Sequence, residues 1–216
     1  LSILFSDNTG TITEGRLSVV ELATGNGQVF QSLDQMPDSL AADVVIGAGV
    51  NNRASVSGGS IIGGNSTDRA LMAFLNAAGR AGSLTKEGVK SFSAFDSNKK
   101  RSSVVMERGG KCETYLKGAP ERIIEECAYY IDEKGRRQAL TDKQALAAYT
   151  LEQANRSMRL LAVAKAEGDG EDGEMTLLCV ISIRDNVRKE AVQAIKEVRS
   201  AGIQVVMVTG DRKETA

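Results

Sequence analysis

The two ends of the chain share one pattern, a short apolar run followed by polar, oxygen-rich residues. Residues 3–5 lead into Ser6-Asp7-Asn8-Thr9-Gly10-Thr11, and the mainly apolar residues 203–208 lead into Thr209-Gly210-Asp211. Short apolar runs next to turn residues are typical of buried strands. Because ligands bind at the carboxyl ends of strands in open α/β sheets, the pattern predicts that both polar segments lie at one site.

A helical pattern precedes the C-terminal run. Val192, Ile195 and Val198 recur at the spacing of one helix face, and Gly202 is placed to end that helix. The two ends of the chain are therefore predicted to share one parallel α/β sheet.

The segment of residues 16–184 has a different organisation. Alternating or continuous apolar runs predict strands at residues 17–22, 102–107, 112–116, 160–166 and 175–183. Helices are predicted near residues 39–46, 66–78, 120–127 and 141–154. Arg108-Gly109-Gly110-Lys111 between two strands is a hairpin signal, so this segment is predicted to be an inserted, largely antiparallel α+β unit. The expected fold class is α/β plus α+β.

Local signals give the expected ends of several elements. Ser66 or Thr67 is a candidate N-cap of the second helix, and Thr141-Asp142-Lys143-Gln144 has the spacing of a capping box. Residues 47–64 are rich in Gly, Ser and Asn and predict a loop. That loop has neither a Walker motif nor a dinucleotide-binding motif.

Composition narrows the range of functions. The chain has 27 Lys and Arg against 28 Asp and Glu, which argues against a nucleic-acid surface. Its apolar content of 42% suits a folded domain, and no apolar run approaches the length that spans a bilayer. No signal peptide is visible.

The chain has no His and three Cys at irregular spacing, Cys112, Cys127 and Cys179. This pattern favours reduced core or surface thiols over a zinc site. The acidic loop of residues 168–173 lacks the order of an EF-hand, so we expect no calcium there. Chemistry in this chain must therefore depend on carboxylates, hydroxyls, Lys, Arg and a bound metal.

Asp7 is the strongest candidate for that chemistry. A carboxylate at a strand end can attack the γ-phosphorus of ATP, and the hydroxyls and backbone N–H groups that follow suit the phosphoryl oxygens. The alternative is an Asp that merely ends a strand in a turn. Thr209 and Gly210 could bind the same phosphoryl group, or form an ordinary strand-to-helix turn.

Four segments in this order resemble the P-type cation-transporting ATPases, in particular the type II, calcium-pump-like group. They are Asp7-Asn8-Thr9-Gly10-Thr11, Lys117-Gly118-Ala119-Pro120-Glu121, Asp185-Asn186-Val187-Arg188 and Met207-Val208-Thr209-Gly210-Asp211. The family signature is Asp-Lys-Thr-Gly-Thr, whose Asp is phosphorylated by ATP. Asn51-Asn52-Arg53-Ala54 also resembles an Asn-Asn-Ala segment of the family.

The resemblance implies a domain arrangement. Residues 1–15 and 185–216 would form a haloacid-dehalogenase-like (Rossmann-like) phosphorylation domain, of which the C-terminal part is truncated. Residues 16–184 would form an inserted nucleotide-binding domain with an antiparallel sheet.

The resemblance also implies roles at the phosphorylation site. Asp7 would accept the phosphoryl group and hold Mg²⁺ together with the carbonyl of Thr9. Thr209 and Gly210 would bind the transferred group, with Asp211 near the metal and the nucleotide. Asp185 and Arg188 match an Asp-Pro-x-Arg hinge motif, and a plain helix-start cation is the alternative for Arg188.

Further residues would bind ATP. Phe95 and Lys100 match a Phe-x-x-x-x-Lys segment, with Phe95 stacking on adenine and Lys100 near the phosphates. Lys117 would line the adenine pocket, where Gly118 lets a ligand approach the backbone.

For two more residues of the expected ATP site, a purely structural role is the alternative to ATP binding. Asp68 could accept from the adenine amino group, although its place at a helix start explains an acid equally well. Arg159 would reach the ATP phosphates, with a surface Arg at a strand start as its alternative.

The chain departs from the family motifs at two positions. Asn8 stands where the family has Lys, and loss of one electrostatic stabiliser in a dry site costs on the order of a hundredfold in rate. Asn186 stands where the hinge motif has Pro, which removes one fixed φ angle.

We therefore expect the cytoplasmic ATP-binding and phosphorylation part of an ATP-driven cation pump. Its partners would be ATP, Mg²⁺, membrane helices of the same polypeptide and a transported cation, possibly Ca²⁺. This part alone is expected to bind nucleotide weakly and to hydrolyse little or none. A soluble haloacid-dehalogenase-type phosphatase or phosphomutase, and a non-catalytic nucleotide-binding module, are the alternatives.

Overall fold

The computed structural model describes residues 2–170 and 173–210. The strands of these residues are β1 (Ile3–Asp7), β2 (Thr13–Ala23), β3 (Val29–Phe30), β4 (Ala54–Ser57), β5 (Ser60–Gly63), β6 (Val89–Asp96), β7 (Arg101–Arg108), β8 (Lys111–Gly118), β9 (Cys127–Ile131), β10 (Arg137–Ala139), β11 (Arg159–Glu167), β12 (Met175–Val187) and β13 (Gln204–Val208). The helices are α1 (Asp38–Val45), α2 (Ser66–Ala77), α3 (Pro120–Glu126), α4 (Lys143–Asn155) and α5 (Lys189–Ser200). Within these residues, no helix combines the length and apolar character that a membrane span requires.

The two ends of the chain meet in a small parallel sheet, as the sequence predicts. β1 pairs with β13 in register, from Ile3 opposite Gln204 to Asp7 opposite Val208. α5 lies between the two sheets in sequence and has no buried residue within the chain. Phe5 and Val208 in the paired strands are 66% and 60% exposed. Parallel sheets are normally covered on both faces, so this small sheet is under-covered by the residues described.

The middle of the chain forms a nine-stranded sheet. Its main order is β10-β9-β12-β11-β8-β7-β6, and β2 pairs with the second half of β12 and carries β3 at its outer edge. All pairs are antiparallel except the short parallel pair of β9 and β12. The predicted antiparallel α+β unit is thus confirmed in its main feature.

Helices cover both faces of this sheet and form two hydrophobic cores. On one face α1 and α2 pack against side chains such as Tyr115 and Ile181. On the other face α3 and α4 pack against their sequence neighbours Leu116 and Val180. Successive residues of a strand point to opposite faces, which explains how neighbours serve different cores. Because β12 lies between both layers, it is buried continuously from Met175 to Ile183.

The two sheets are joined by a ribbon of two strands. β2 and β12 continue beyond the nine-stranded sheet and stay paired, with Leu17 opposite Asp185 and Thr13 opposite Val187. A register shift between Asp185 and Val187 marks a bulge in this ribbon. Both passages of the chain towards β1 and β13 therefore run side by side.

Several expected details were wrong. Residues 47–64 were predicted to be a loop, but they contain the hairpin of β4 and β5, which turns at two positive-φ glycines, Gly58 and Gly59. The N-cap of α2 is Asn65, whose side chain accepts from Asp68 N, and not Ser66 or Thr67. In the same way α4 is capped by Asp142 and not by Thr141. The expectation of reduced thiols is confirmed, because all three cysteines are free, with Cys127 and Cys179 buried and Cys112 half-buried.

Candidate active site

The loop of residues 8–12 starts at the carboxyl end of β1. The exposed carboxylate of Asp7 accepts the backbone N–H of Asn8 at 2.8 Å. Gly10 has a φ of +80°, a conformation that suits glycine. Because Asp7 lies opposite Val208, Thr209 and Gly210 leave β13 at the same edge of the sheet. Asp211 lies outside the described residues.

Asp185 and Arg188 hold this loop in place. Asp185 accepts the hydroxyl of Thr13 at 2.6 Å and the backbone N–H of Arg16 at 3.2 Å. Arg188 donates from Nε to the carbonyl of Thr13 at 2.9 Å and from Nη2 to the carbonyl of Gly10 at 3.1 Å. Asp185 and Arg188 thus fix the chain that follows Asp7 by charge-assisted hydrogen bonds.

The oxygens around Asp7 suit a magnesium ion. The Asp7 carboxylate and the carbonyl of Thr9 are hard oxygen ligands, and Mg²⁺ is usually bound by one or two carboxylates together with substrate phosphates and water. Among the described residues, no group of three or more acidic, Cys or His side chains forms a metal cluster.

A second constellation lies in the nine-stranded sheet, around Lys117 of β8. The Lys117 ammonium donates to Asp68 Oδ1 at 2.9 Å and to the carbonyl of Asn51 at 2.5 Å. Both charged side chains are close to fully buried, with 7% and 11% of their surface exposed. Burial lowers the pKa of Lys117, and the neighbouring Asp68 opposes this effect. The pair is the polar floor of a cavity of about 520 Å³ that Phe95 also lines.

Gly118 and Lys100 meet at the end of β8. A Cβ atom on Gly118 would lie 2.2 Å from the carbonyl oxygen of Lys100, so only glycine fits there. Lys100 has a φ of +53°, and its carbonyl accepts the backbone N–H of Ala119 at 3.0 Å. The Lys100 side chain forms an ion pair with Glu121 at 3.6 Å. A strained backbone at such a position is a frequent property of binding sites.

Three cavities follow one another through shared residues. Phe95, which is 61% exposed, lines the 520 Å³ cavity and also a cleft of about 860 Å³. Lys100, Arg159 and Gly210 line the same cleft. Arg159 also lines a smaller cavity of about 130 Å³, together with Thr9 and Asp185. The series links the buried ion pair to the loop after Asp7.

The predicted residues thus fall into two groups. The first group lies at the first two cavities: these are lined by Asp68, Phe95, Lys100, Lys117 and Arg159, and Gly118 packs against the backbone of Lys100. The second group lies near the carboxyl ends of β1 and β13 and consists of Asp7, Thr9, Asp185, Arg188, Thr209 and Gly210. The sequence did not assign Asn51, Arg53 or Phe92 to a site, although all three line the 520 Å³ cavity. For Asn51 and Arg53, the resemblance of Asn51-Asn52-Arg53-Ala54 to a family segment could have indicated a place in the site.

Known proteins resemble this chain over most or all of its length. The family model described as P-type ATPase, cytoplasmic domain N, matches residues 44–190. Plasma membrane calcium-transporting ATPase 4 of Bos taurus is 30% identical over 98% of this chain and 20% of its own length. Calcium-transporting ATPase 1, plasma membrane-type, of Oryza sativa subsp. japonica is 30% identical over 100% of this chain and 23% of its own. Calcium-transporting ATPase 8, plasma membrane-type, of Arabidopsis thaliana is 28% identical over 98% and 22%.

The chain spans about a fifth of the length of these relatives. Most of the nine-stranded sheet, with the cavity around Lys117 and Phe95, falls within the matched residues. The chain therefore belongs to the P-type ATPase family and contains its cytoplasmic domain N.

Proposed function

We propose that this chain supplies the ATP-binding and phosphorylation segments of an ATP-driven cation pump that forms an aspartyl phosphate on Asp7. The observation that carries this proposal is the series of cavities that share Phe95 and Arg159 and connect the Lys117 pocket with the loop after Asp7. An elongated ligand with a base at one end and phosphates at the other matches such a path. ATP has that shape and charge.

In this proposal the adenine lies against Phe95, with Asp68 and Lys117 at the floor of the pocket. Lys100 and Arg159 in the adjoining cleft would neutralise the phosphate chain. Closure of the nine-stranded unit towards β1 and β13 would bring the γ-phosphate to Asp7. An Asp7 oxygen then forms a bond to the γ-phosphorus while the bond to the bridging oxygen breaks, and ADP leaves with that electron pair.

The residues around β1 have separate tasks in this step. Asp185 and Arg188 fix the loop, and the hydroxyl and N–H groups of Thr209 and Gly210 would receive the phosphoryl oxygens. Mg²⁺ bound by Asp7 and Thr9 would neutralise charge on the phosphates. Asp211, which lies outside the described residues, is proposed to act near the metal and the nucleotide.

We further infer that residues 1–15 and 185–216 are part of a haloacid-dehalogenase-like phosphorylation domain, with residues 16–184 inserted into it. The exposed apolar side chains of Phe5 and Val208 support this, because further strands and helices would cover them. The relatives are several times longer than this chain and leave room for these elements.

The cargo and setting are proposed from the relatives. Those relatives are named calcium-transporting and plasma membrane-type, so we propose Ca²⁺ as the cargo. The transport path would run through membrane helices of the same polypeptide, with this part on the cytoplasmic side. The balanced charge of the chain gives no basis for a nucleic-acid partner.

Calorimetric titration of a non-hydrolysable ATP analogue tests the binding site. Phe95→Ala is expected to weaken binding about tenfold or more, because stacking of a base on an aromatic ring is worth about 1–3 kcal/mol. Val29→Ala, on the short strand β3, is the control and should leave binding unchanged. Equal binding by the Phe95→Ala variant and the unchanged chain would remove Phe95 from the site.

Phosphorylation of the full-length polypeptide tests Asp7. Acid-stable label from the γ-phosphate of ATP is expected, and Asp7→Asn should abolish it. Asn8→Lys should raise the initial rate on the order of a hundredfold, because it adds a cation beside the transferred group. Label that persists in Asp7→Asn would contradict the assignment, and no label in either the unchanged or the Asn8→Lys protein would favour a non-catalytic nucleotide-binding module.

A further inference from the structure

Arg53 and Phe92, which both line the 520 Å³ cavity, form a contact that the proposed function does not use. The guanidinium of Arg53 lies over the Phe92 ring, 5.8 Å from its centroid, and both residues line the cavity. Arg53 comes from the segment before β4, whereas Phe92 belongs to β6 at the edge of the nine-stranded sheet. The contact therefore joins two walls of the cavity that are far apart in sequence.

The backbone of Arg53 is fixed by its neighbours. Its N–H donates to Asp68 Oδ2 at 3.4 Å, on the side chain that also pairs with Lys117. Its carbonyl lies so close to Gly63 that a Cβ there would be 2.9 Å away. The backbone of Arg53 is thus held next to Asp68 and Gly63, while its side chain is exposed and lines the cavity.

A bulge places Phe92 and Phe95 on the same cavity. Residues three apart on a regular strand point to opposite faces. The register between β6 and β7 shifts between Ser93 and Asp96, and both aromatic side chains line the 520 Å³ cavity. They are 39% and 61% exposed, so the cavity offers an uncovered aromatic surface with a guanidinium next to it.

We propose that Arg53 contacts the base of the nucleotide and forms the wall of a purine slot opposite Phe95. In the empty site the guanidinium rests on Phe92, and it moves onto the face of the base when a purine enters. A planar guanidinium stacks well on aromatic faces, and the two rings of a purine give it more overlap than the single ring of a pyrimidine. This inference rests on the proposed function and adds the residue that selects the base.

The cavity arrangement separates this role from phosphate binding. Lys100 and Arg159 line the 860 Å³ cleft, which shares Phe95 with the 520 Å³ cavity. Arg53 lines the 520 Å³ cavity together with Asp68 and Lys117. In the proposed binding mode, Arg53 therefore lies near the base of the nucleotide, and Lys100 and Arg159 lie near its phosphates.

Calorimetric titration of the chain with adenosine, ATP and CTP tests the proposal. Arg53→Ala is expected to weaken adenosine and ATP by the same factor, about fivefold to tenfold, and to lower the preference for ATP over CTP. Arg53→Lys keeps the charge without the plane and should remain about threefold weaker for adenosine. Phe92→Leu should change adenosine binding less than about twofold, since Phe92 supports the guanidinium in the empty site alone.

Arg69→Ala is the matched control, because Arg69 is an exposed arginine whose Nη1 donates to the carbonyl of Gly63 at the same hairpin. It should bind all three ligands like the unchanged chain. Thermal melting of each variant separates lost folding from lost binding, and Arg53→Lys keeps the test usable if Arg53→Ala melts early.

Each other outcome overturns the proposal. Loss of ATP binding with adenosine unaffected would make Arg53 a phosphate contact. Equal losses of nucleotide affinity in Arg53→Ala and Phe92→Leu would show that the contact between the two residues only stabilises the structure of the cavity. No loss in Arg53→Ala, with a loss in Phe95→Ala, would remove Arg53 from the site and leave the proposed function standing. No binding by the unchanged chain would end both proposals.

Discussion

Lys117 Nζ lies 2.9 Å from Asp68 Oδ1 at the floor of the 520 Å³ cavity, and both side chains are almost completely enclosed. Lys90 and Glu107 form an ion pair of the same length, 2.9 Å, at the surface, where 51% and 44% of the side chains are exposed. The two pairs differ in burial rather than in geometry. A comparison of the two pairs therefore shows how burial changes the contribution of an ion pair to the stability of this fold.

Removal of Lys117 alone should be costly. Lys117→Met leaves the buried Asp68 carboxylate without its ammonium and is expected to lower the free energy of unfolding by about 3 kcal/mol. The double variant Asp68→Asn/Lys117→Met should recover most of this loss. Urea unfolding of the single and double variants measures both effects, with Lys90→Met at the exposed pair as a control of much smaller effect. A double variant as unstable as Lys117→Met would contradict this account.

The same pair makes stability depend on pH. Burial lowers the pKa of Lys117 below its usual 10.5, so the unfolded chain binds this proton more tightly than the folded chain. The free energy of unfolding should therefore rise with pH between the folded pKa and 10.5, and it should not change with this group below that window. Lys117→Met lacks the effect, so the stability difference between the two proteins should grow as the pH rises from the lowered pKa of Lys117 towards 10.5. A difference that stays constant or shrinks would show that the pKa of Lys117 is not lowered.

Gly118→Ala tests the close approach of β8 to Lys100. The new Cβ would overlap the carbonyl of Lys100 and the Cα of Arg101, at 2.2 and 2.7 Å. We expect a loss of about 2 kcal/mol in stability, together with weaker ATP binding through the displaced Lys100. Gly82→Ala is the control, because a Cβ there meets nothing within 4 Å, and it should change stability by less than about 1 kcal/mol. Equal melting temperatures for the two variants would oppose this explanation.

Asp185→Asn tests the anchor of the loop after Asp7. The change keeps the shape of the side chain but removes the charge that strengthens its bonds to Thr13 and Arg16. Amide hydrogen exchange of residues 8–16 should become about tenfold faster, while exchange in β11 stays unchanged. Asp34→Asn, at an exposed acid, should leave both regions unchanged. Faster exchange throughout the chain would instead indicate global destabilisation.

Features that depend on local sequence were predictable. The hairpin of β7 and β8 is predicted by two adjacent glycines, and Gly109 and Gly110 do adopt φ values of 57° and 76°. Parallel pairing of β1 and β13 followed from two similar strand ends. In contrast, β4 and β5 read as a loop because Gly and Ser dominate them. The sequence did not predict β6. All of its residues except Val89 are exposed, so apolar and polar residues do not alternate along it as they do in a half-buried strand.

Long-range contacts account for what was missed in the site. Nothing in the local sequence places Arg53 over Phe92, because that contact depends on a bulge in β6 and on the path of the β4–β5 hairpin. The role of Lys117 was inferred from resemblance, but its partner Asp68 could be read equally well as a helix-start acid. Burial of both charges in one place settles that they act as a pair.

The ribbon of β2 and β12 has a mechanical consequence. A single-stranded connection would let the Asp7 edge of the sheet reorient in any direction relative to the 520 Å³ cavity. In this ribbon the two strands are hydrogen-bonded to each other, and the Asp185 carboxylate accepts hydrogen bonds from Thr13 and Arg16 at one end. Such a ribbon can bend perpendicular to its plane, but it resists sliding of one strand along the other and twisting. If the pocket closes towards Asp7 as we propose, the paired strands would favour rotation about one axis, which would bring the γ-phosphate to Asp7 along a reproducible path.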